Sequence, residues 1–340
     1  MKTKKFKISA SMVNNNRSYI FLALILICGL FVDNFYTAFN IAAATGNGSL
    51  VIWLGVGFTV CMIAGHMDLT IMYMSTFGAL ICLGLRSEND MPWIVAILAA
   101  TAVGVLVGFI NGFLVTKLKI HSFIATLGMQ FVLKGAMYIY CNGEELSIGT
   151  DYAVNEMLNA RLFGVLPFSV YFVITTAVVF LIMVVLRYTR FGRNIHMVGG
   201  NLETAWLAGI KSDRVTTMAF VISSTCCALG GALNGIYSGA ASVTMGEKGI
   251  SPLMIALTAT IIGGTSINGG KGSVVWTWVS LVAIALLKSI CKKTEWQVLV
   301  IALILILCIV YETIVKYKRD KEVGTRPNLR QQYLQEIGRI

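Results

Sequence analysis

Along the chain, long apolar stretches alternate with short polar breaks, and the breaks hold almost all of the charge. The stretches fall at 19–32, 50–64, 71–85, 93–115, 123–141, 168–186, 215–237, 252–262, 274–290 and 296–315. A hydrocarbon core takes about 20 residues of α-helix to cross, so uncharged apolar runs of that order read as spanning helices. The pattern predicts an all-α polytopic membrane protein with about ten transmembrane helices. The shorter stretches, 252–262 above all, predict helices that are tilted, broken or re-entrant.

Composition agrees and removes other classes. Hydrophobic residues make up 56% of the 340 and charged residues only 13%, against about 25% in soluble domains. That excludes an ordinary soluble enzyme and a disordered chain. The 33 glycines suit close helix packing in lipid. A net charge of +11 would fit nucleic acid, but the basic residues sit in short segments between apolar runs, where membrane topology puts them.

Those residues set an orientation. With the N-terminus inside, 20 of the 27 Lys and Arg fall in cytoplasmic segments, among them Lys117, Lys119, Arg187, Arg190, Arg193, Lys211 and Arg214. Both termini are then cytoplasmic, which requires an even number of spans, ten or eight. The expected division is a basic cytoplasmic segment at 1–18, a transmembrane domain at 19–315 with a cytoplasmic loop at 187–214, and a basic cytoplasmic tail at 316–340. Asp33-Asn34-Phe35-Tyr36 follows the first run instead of a small-x-small cleavage site, so that run is expected to stay as a signal anchor.

Catalytic chemistry finds no support. Gly269-Gly270-Lys271-Gly272-Ser273 lacks the Lys-Ser/Thr step of a nucleotide-binding loop. His66, His121 and His196 have no metal spacing. The eight cysteines form no C-x-x-C pair and read as small packing residues. Ionisable groups inside spans are few: Lys134 either lines a pathway or snorkels, and Lys288 snorkels near an outer end. An ion-coupled carrier would need carboxylates or histidines at mid-span.

Two breaks resist a plain reading. Gly65-His66-Met67-Asp68-Leu69-Thr70 and the glycine-rich 263–273 each separate two apolar runs with almost no loop. Each is either a tight turn at the inner surface or irregular backbone of a weak internal repeat facing a watery cavity. Asp68 is either a helix cap or a gate.

The loop at 187–214 holds a locally specified helix. Asn201 is a good N-cap, Glu203 lies in the first turn where the dipole favours an anion, and Gly209 can end it. Leu202, Ala205, Trp206 and Gly209 share one face by spacing. That apolar face suits either the membrane surface or a partner's groove.

Thr189-Arg190-Phe191-Gly192-Arg193 through Gly199-Gly200-Asn201 to Ala208-Gly209-Ile210 resembles the cytoplasmic loop of ribose-type (monosaccharide) ABC importer permeases. Ser122–128 (Ser-Phe-Ile-Ala-Thr-Leu-Gly) with Lys134-Gly135, Gly108 with Asn111-Gly112, and 262–273 match three further motifs in the same order. The likeness covers about residues 50 to 310. One departure stands out: His66 and Met72 replace glycines of the family's Gly-Gly-Ile-Asp-Leu-Ser-Val-Gly.

The resemblance implies the ABC importer permease fold in a prokaryotic plasma membrane. It implies import of a monosaccharide or sugar-like solute delivered by an extracytoplasmic binding protein. Nucleosides and branched-chain amino acids stay open as solutes. It further implies a second permease subunit, identical or paralogous, surrounding membrane lipid, no nucleic acid, and separate ATPase subunits that use ATP and Mg, with no cofactor bound by this chain. Gly199, Gly200, Asn201, Glu203, Ala205, Trp206 and Gly209 become the ATPase-coupling helix. Asp68, Leu69, Asn111, Thr126, Lys134, Thr265 and Asn268 become candidates for the pathway or its gate.

Overall fold

The computed structural model describes residues 10–149, 151–162, 166–245, 251–291 and 293–324. Its helices are α1 (Ala10–Gly29), α2 (Ala38–Ile63), α3 (Ile71–Ser87), α4 (Trp93–Thr116), α5 (Ser122–Cys141), α6 (Ala153–Asn159) and α7 (Val170–Tyr188). There follow α8 (Arg190–Gly200), α9 (Leu202–Leu207), α10 (Ser212–Ser238), α11 (Pro252–Ile262), α12 (Val274–Ile290) and α13 (Thr294–Gly324). Five of them, α2, α4, α5, α7 and α10, are long and apolar enough to cross a membrane. Shorter apolar helices fill the other five expected positions: α1 from Asn16, α3, α11, α12, and α13 as far as Val310. The chain is thus a polytopic all-α membrane protein. At 11 residues, α11 is about 16 Å long and cannot cross the hydrocarbon alone.

Helix α10 is the axis of the bundle, packed on α4, α3 and α2, while α2 also carries α11 and α12. Backbones touch along these crossings. A Cβ at Gly231 of α10 would lie 1.8 Å from the Ser75 carbonyl oxygen of α3, so a small residue sets the approach. Hydroxyls tie the helices further: Thr59 Oγ1 donates to Thr277 Oγ1 at 3.0 Å and lies 3.3 Å from Thr260 Oγ1, joining α2, α12 and α11.

Helix α2 begins twelve residues before the apolar run that announces it. Its first half, Ala-Phe-Asn-Ile-Ala-Ala-Ala-Thr-Gly-Asn-Gly-Ser, is small or polar apart from Phe39 and Ile41. Thr37 caps it, accepting from Asn40 N at 3.3 Å. It packs where Gly48 meets Ala285 of α12, so burial among helices replaces apolar character.

Loops segregate to two ends. At one end Lys117 and Lys119, after α4, reach Asp213 of α10 at 3.0 and 3.4 Å. At the other, Arg86 pairs with Asp151 at 2.7 Å, and the Trp93 indole donates to the same carboxylate at 2.9 Å. There too β1 (Leu146–Ser147) pairs antiparallel with β2 (Ala240–Ala241). The segments that the charge pattern groups on one side thus also meet in space. Half of the expected basic N-terminal segment (1–9) and most of the tail (325–340) lie outside the described residues, as do Lys248 and Lys292.

Candidate functional site

Both puzzling breaks turn out to be one structure used twice. After α2, Gly65 takes a φ of 83°, its N–H donates to Met62 O at 2.9 Å and that of His66 to Cys61 O at 3.0 Å. After α11, Gly264 takes 84°, and Gly264 N and Thr265 N donate to Ile261 O and Thr260 O at 3.0 and 3.1 Å. This is the glycine-terminated helix end, in which a left-handed residue lets two carbonyls be satisfied. Helix α9 ends the same way, with Gly209 at 76° and Ile210 N donating to Ala205 O at 3.0 Å.

The two turns touch each other and the 187–214 loop. Gly270 N donates to Ile63 O at 2.9 Å, linking the second turn to the end of α2. Gly199, near the end of α8, lies over that bond: a Cβ there would sit 1.8 Å from Ile63 O and 2.7 Å from Gly270 N. His196 Nδ1 is 3.1 Å from Gly270 O. A Cβ on Gly269 would lie 2.7 Å from both Gly199 O and Gly65 Cα. Three segments remote in sequence therefore form a backbone seam. Gly199 and Gly200 belong to this seam, in α8, and not to the short helix that follows.

On the seam stands α9. Asn201 caps it, accepting from Thr204 N at 2.9 Å, and Glu203 is in its first turn. The outward face differs from the one expected. Ala205 is fully buried against the bundle, whereas Leu202, Trp206 and Leu207 are 59, 70 and 72% exposed. A helix of two turns lying flat must bury one side, and the smallest apolar residue allows the closest approach; Leu207 takes its place outside. Beside α9 lies a cleft of about 580 Å³ that includes His66, Lys119, His121, Leu202 and Asp213. Burial first, then the charge of nearby His121, lowers His66 to about 4.

The pathway candidates divide into groups. Asp68 is fully buried; it accepts from Thr70 N at 3.0 Å, from Thr70 Oγ1, and from Ser223 Oγ of α10 at 2.8 Å. Burial pushes its carboxyl above the ordinary range, opposed by the Thr70 and Ser223 hydrogen bonds. Asn111 of α4 donates to Thr70 Oγ1 at 3.4 Å, and its own Oδ1 is buried with no hydrogen-bond partner among the described residues. Thr126 of α5 donates to Ser122 O at 2.8 Å and lies 3.4 Å from Met67 O. Asp68, Asn111 and Thr126 thus converge on the first turn, where Leu69 is half-buried. Thr265 and Asn268 lie in the second: Thr265 is buried with its Oγ1 unpartnered among the described residues, and Asn268 is exposed. Lys134 belongs to neither turn; its ammonium stands 5.8 Å from the Tyr73 ring centroid.

Sequence reasoning missed Ser223 and His196. A cluster of hydroxyls, Ser223-Ser224-Thr225, at the middle of the run 215–237 was the available signal for the first. For His196 there was none.

A model of the permease component of the branched-chain amino acid transport system matches residues 40–309. The chain belongs to this permease family. It is 29% identical over 268 residues to the ribose import permease of Bacillus subtilis, covering 78% of this chain and 81% of that one. It is 28% identical over 257 residues to the L-arabinose transport system permease of Escherichia coli, 75% of each chain. With the fructose import permease of Rhizobium meliloti it shares 27% over 299 residues, 85% of this chain and 81% of the other. No solved structure matches. Members of this family are transporter components, and the permease described here is a multi-pass membrane protein.

Proposed function

We propose that the permease is the translocating subunit of an ATP-driven importer for a monosaccharide or a similar solute, set in the plasma membrane of a prokaryote. One observation carries this reading: an exposed apolar face of Leu202, Trp206 and Leu207 on a capped helix that follows directly on α8, whose Gly199 packs backbone to backbone on the end of α2 and on the turn after α11. A partner that seats that face gains a rigid hold on two membrane helices at once. The partner is an ATPase that binds ATP and Mg, on the cytoplasmic side to which the basic loops assign this end. The names of the ribose, arabinose and fructose permeases support a sugar as solute, delivered from outside by a binding protein to a pair of permease subunits.

The polar groups around Asp68 are knit into the first turn and hold its shape. Their contribution to transport is positional: they fix where α3, α4 and α10 meet the seam. Thr265 and Asn268 are held through their main chain, by Thr260 O and Ser266 Oγ, and leave their side chains outside that network.

Trp206→Ala tests the reading. Losing an exposed aromatic anchor of an interface costs about 2 kcal/mol or more. Retention of the ATPase in mild detergent and ATP-driven uptake of pentoses and hexoses should both fall at least about tenfold, with insertion intact. Full retention and uptake in this variant refute the assignment. Uptake of leucine or a nucleoside, with none of a sugar, replaces the solute class.

A further inference from the structure

At the end opposite the seam, a cavity of about 280 Å³ lies between α2, α12 and α13, with Ile255 of α11 on its wall. Its lining changes character with depth. At the mouth of the helices are Asn40 of α2, Lys288 and Ser289 of α12 and Gln297 of α13. Below them the small residues Ala43, Ala44, Gly48 and Ala285 keep a groove open, with Asn47 as the one polar side chain at that depth, and the far wall is Val51, Leu281 and Ile284. From Asn40 to Val51 is eleven helical residues, a run of about 16 Å from a polar end into an apolar one.

The polar end is also cationic. Among the described residues Lys288 is the only charged one lining the cavity, and its ammonium has no hydrogen bond or ion pair among them. Helices α2 and α13 both begin at this level and α12 ends there, so the positive ends of two dipoles meet one negative end, which Lys288 in the last turn of α12 offsets. Glu295 sits in the first turn of α13 but outside the lining. The Asn40 and Gln297 amide nitrogens are engaged, by Phe35 O at 2.9 Å and Cys291 O at 2.6 Å, so the mouth is held in shape. A sugar would want polar groups at the far end too, where Val51, Ile255, Leu281 and Ile284 offer none. A charged head above hydrocarbon matches this gradient.

We propose that the cavity is a binding site for an anionic phospholipid, its phosphate at Lys288 and its hydrocarbon running along α2 and α12 toward Val51 and Leu281. The lipid wedges the polar half of α2 against α12 and α13. The inference is independent of what the permease carries.

Full-length protein extracted from vesicles of phosphatidylglycerol and phosphatidylcholine in equal parts is read by native mass spectrometry. Retention should favour phosphatidylglycerol about fivefold, the effect of one lysine on an anionic lipid. Lys288→Gln should abolish the preference and Lys288→Arg preserve it, and inorganic phosphate should leave the bound lipid in place. Equal retention of both lipids, or an unchanged preference in Lys288→Gln, overturns the proposal. So does displacement by phosphate alone, which would make this a free-anion site, and so does a Lys288→Gln protein that is only less heat-stable, which would leave the lysine as a cap on α12.

Discussion

The turn after α2 and the turn after α11 end their helices with the same two hydrogen bonds around a left-handed glycine, yet they are secured in different ways. The first has a buried carboxylate, Asp68, with three donors, one of them from α10. The second has no acid; it leans on the backbone seam, and Thr265 Oγ1 is buried without a partner among the described residues. At matching positions the first carries His66 and the second Thr265. Glycine sets the shape of both, and side chains decide how firmly each is fastened. A turn fastened by a buried carboxylate thus stands beside one fastened by main chain, the two joined by the bond from Gly270 to Ile63.

The largest effect should come from breaking what the turns share. Gly199→Ala inserts a methyl 1.8 Å from Ile63 O, where only backbone can yield, and should cost about 3 kcal/mol, the upper range for overpacking. Gly128→Ala, which meets nothing within 4 Å, should stay within about 0.5 kcal/mol. Thermal unfolding in detergent separates them, and equal midpoints would dissolve the seam.

Next comes the fastening of the first turn alone. Asp68→Ala should cost about 3 kcal/mol by stranding the Thr70 and Ser223 donors, and Asp68→Asn about 1 kcal/mol because its amide oxygen still accepts from Thr70. The same melting assay reads both. An alanine variant as stable as wild type would erase the difference between the turns.

The smallest effect is pH-dependent. His66 is held neutral in the fold, at about 4, against about 6.5 in the unfolded chain. The unfolded state therefore binds the extra proton first. The stability due to neutral His66 is present above 6.5 and is lost as pH falls from 6.5 toward 4. Wild type should lose stability across that window faster than His66→Gln; parallel profiles would free His66 of this role.

Most of the fold could be read from the chain, because lipid forces each crossing to announce itself as an apolar run. The first half of α2 escaped for a physical reason. Its buried positions, Ala42, Thr45, Gly46 and Ser49, face other helices instead of lipid, so they can be small and need not be apolar. Helix α8 escaped because its glycines read as loop. The α9 cap and terminus, Asn201 and Gly209, were legible as local chemistry, but the outward face was not. Spacing cannot tell which side of a two-turn helix lies against the bundle, so Ala205 was grouped with Trp206. Nor does local pattern reveal that the glycines at 65, 199 and 270 meet, since nothing within each segment encodes the other two.

The seam has an evolutionary corollary. Where two main chains press together, neither partner owns an atom that a substitution could exchange. A lost glycine cannot be compensated by trimming the residue opposite. Paired changes across a set of relatives, the usual trace of spatial neighbours, should be silent at this junction, and genetic suppressors of a damaged seam should arise elsewhere, in the tilt of whole helices.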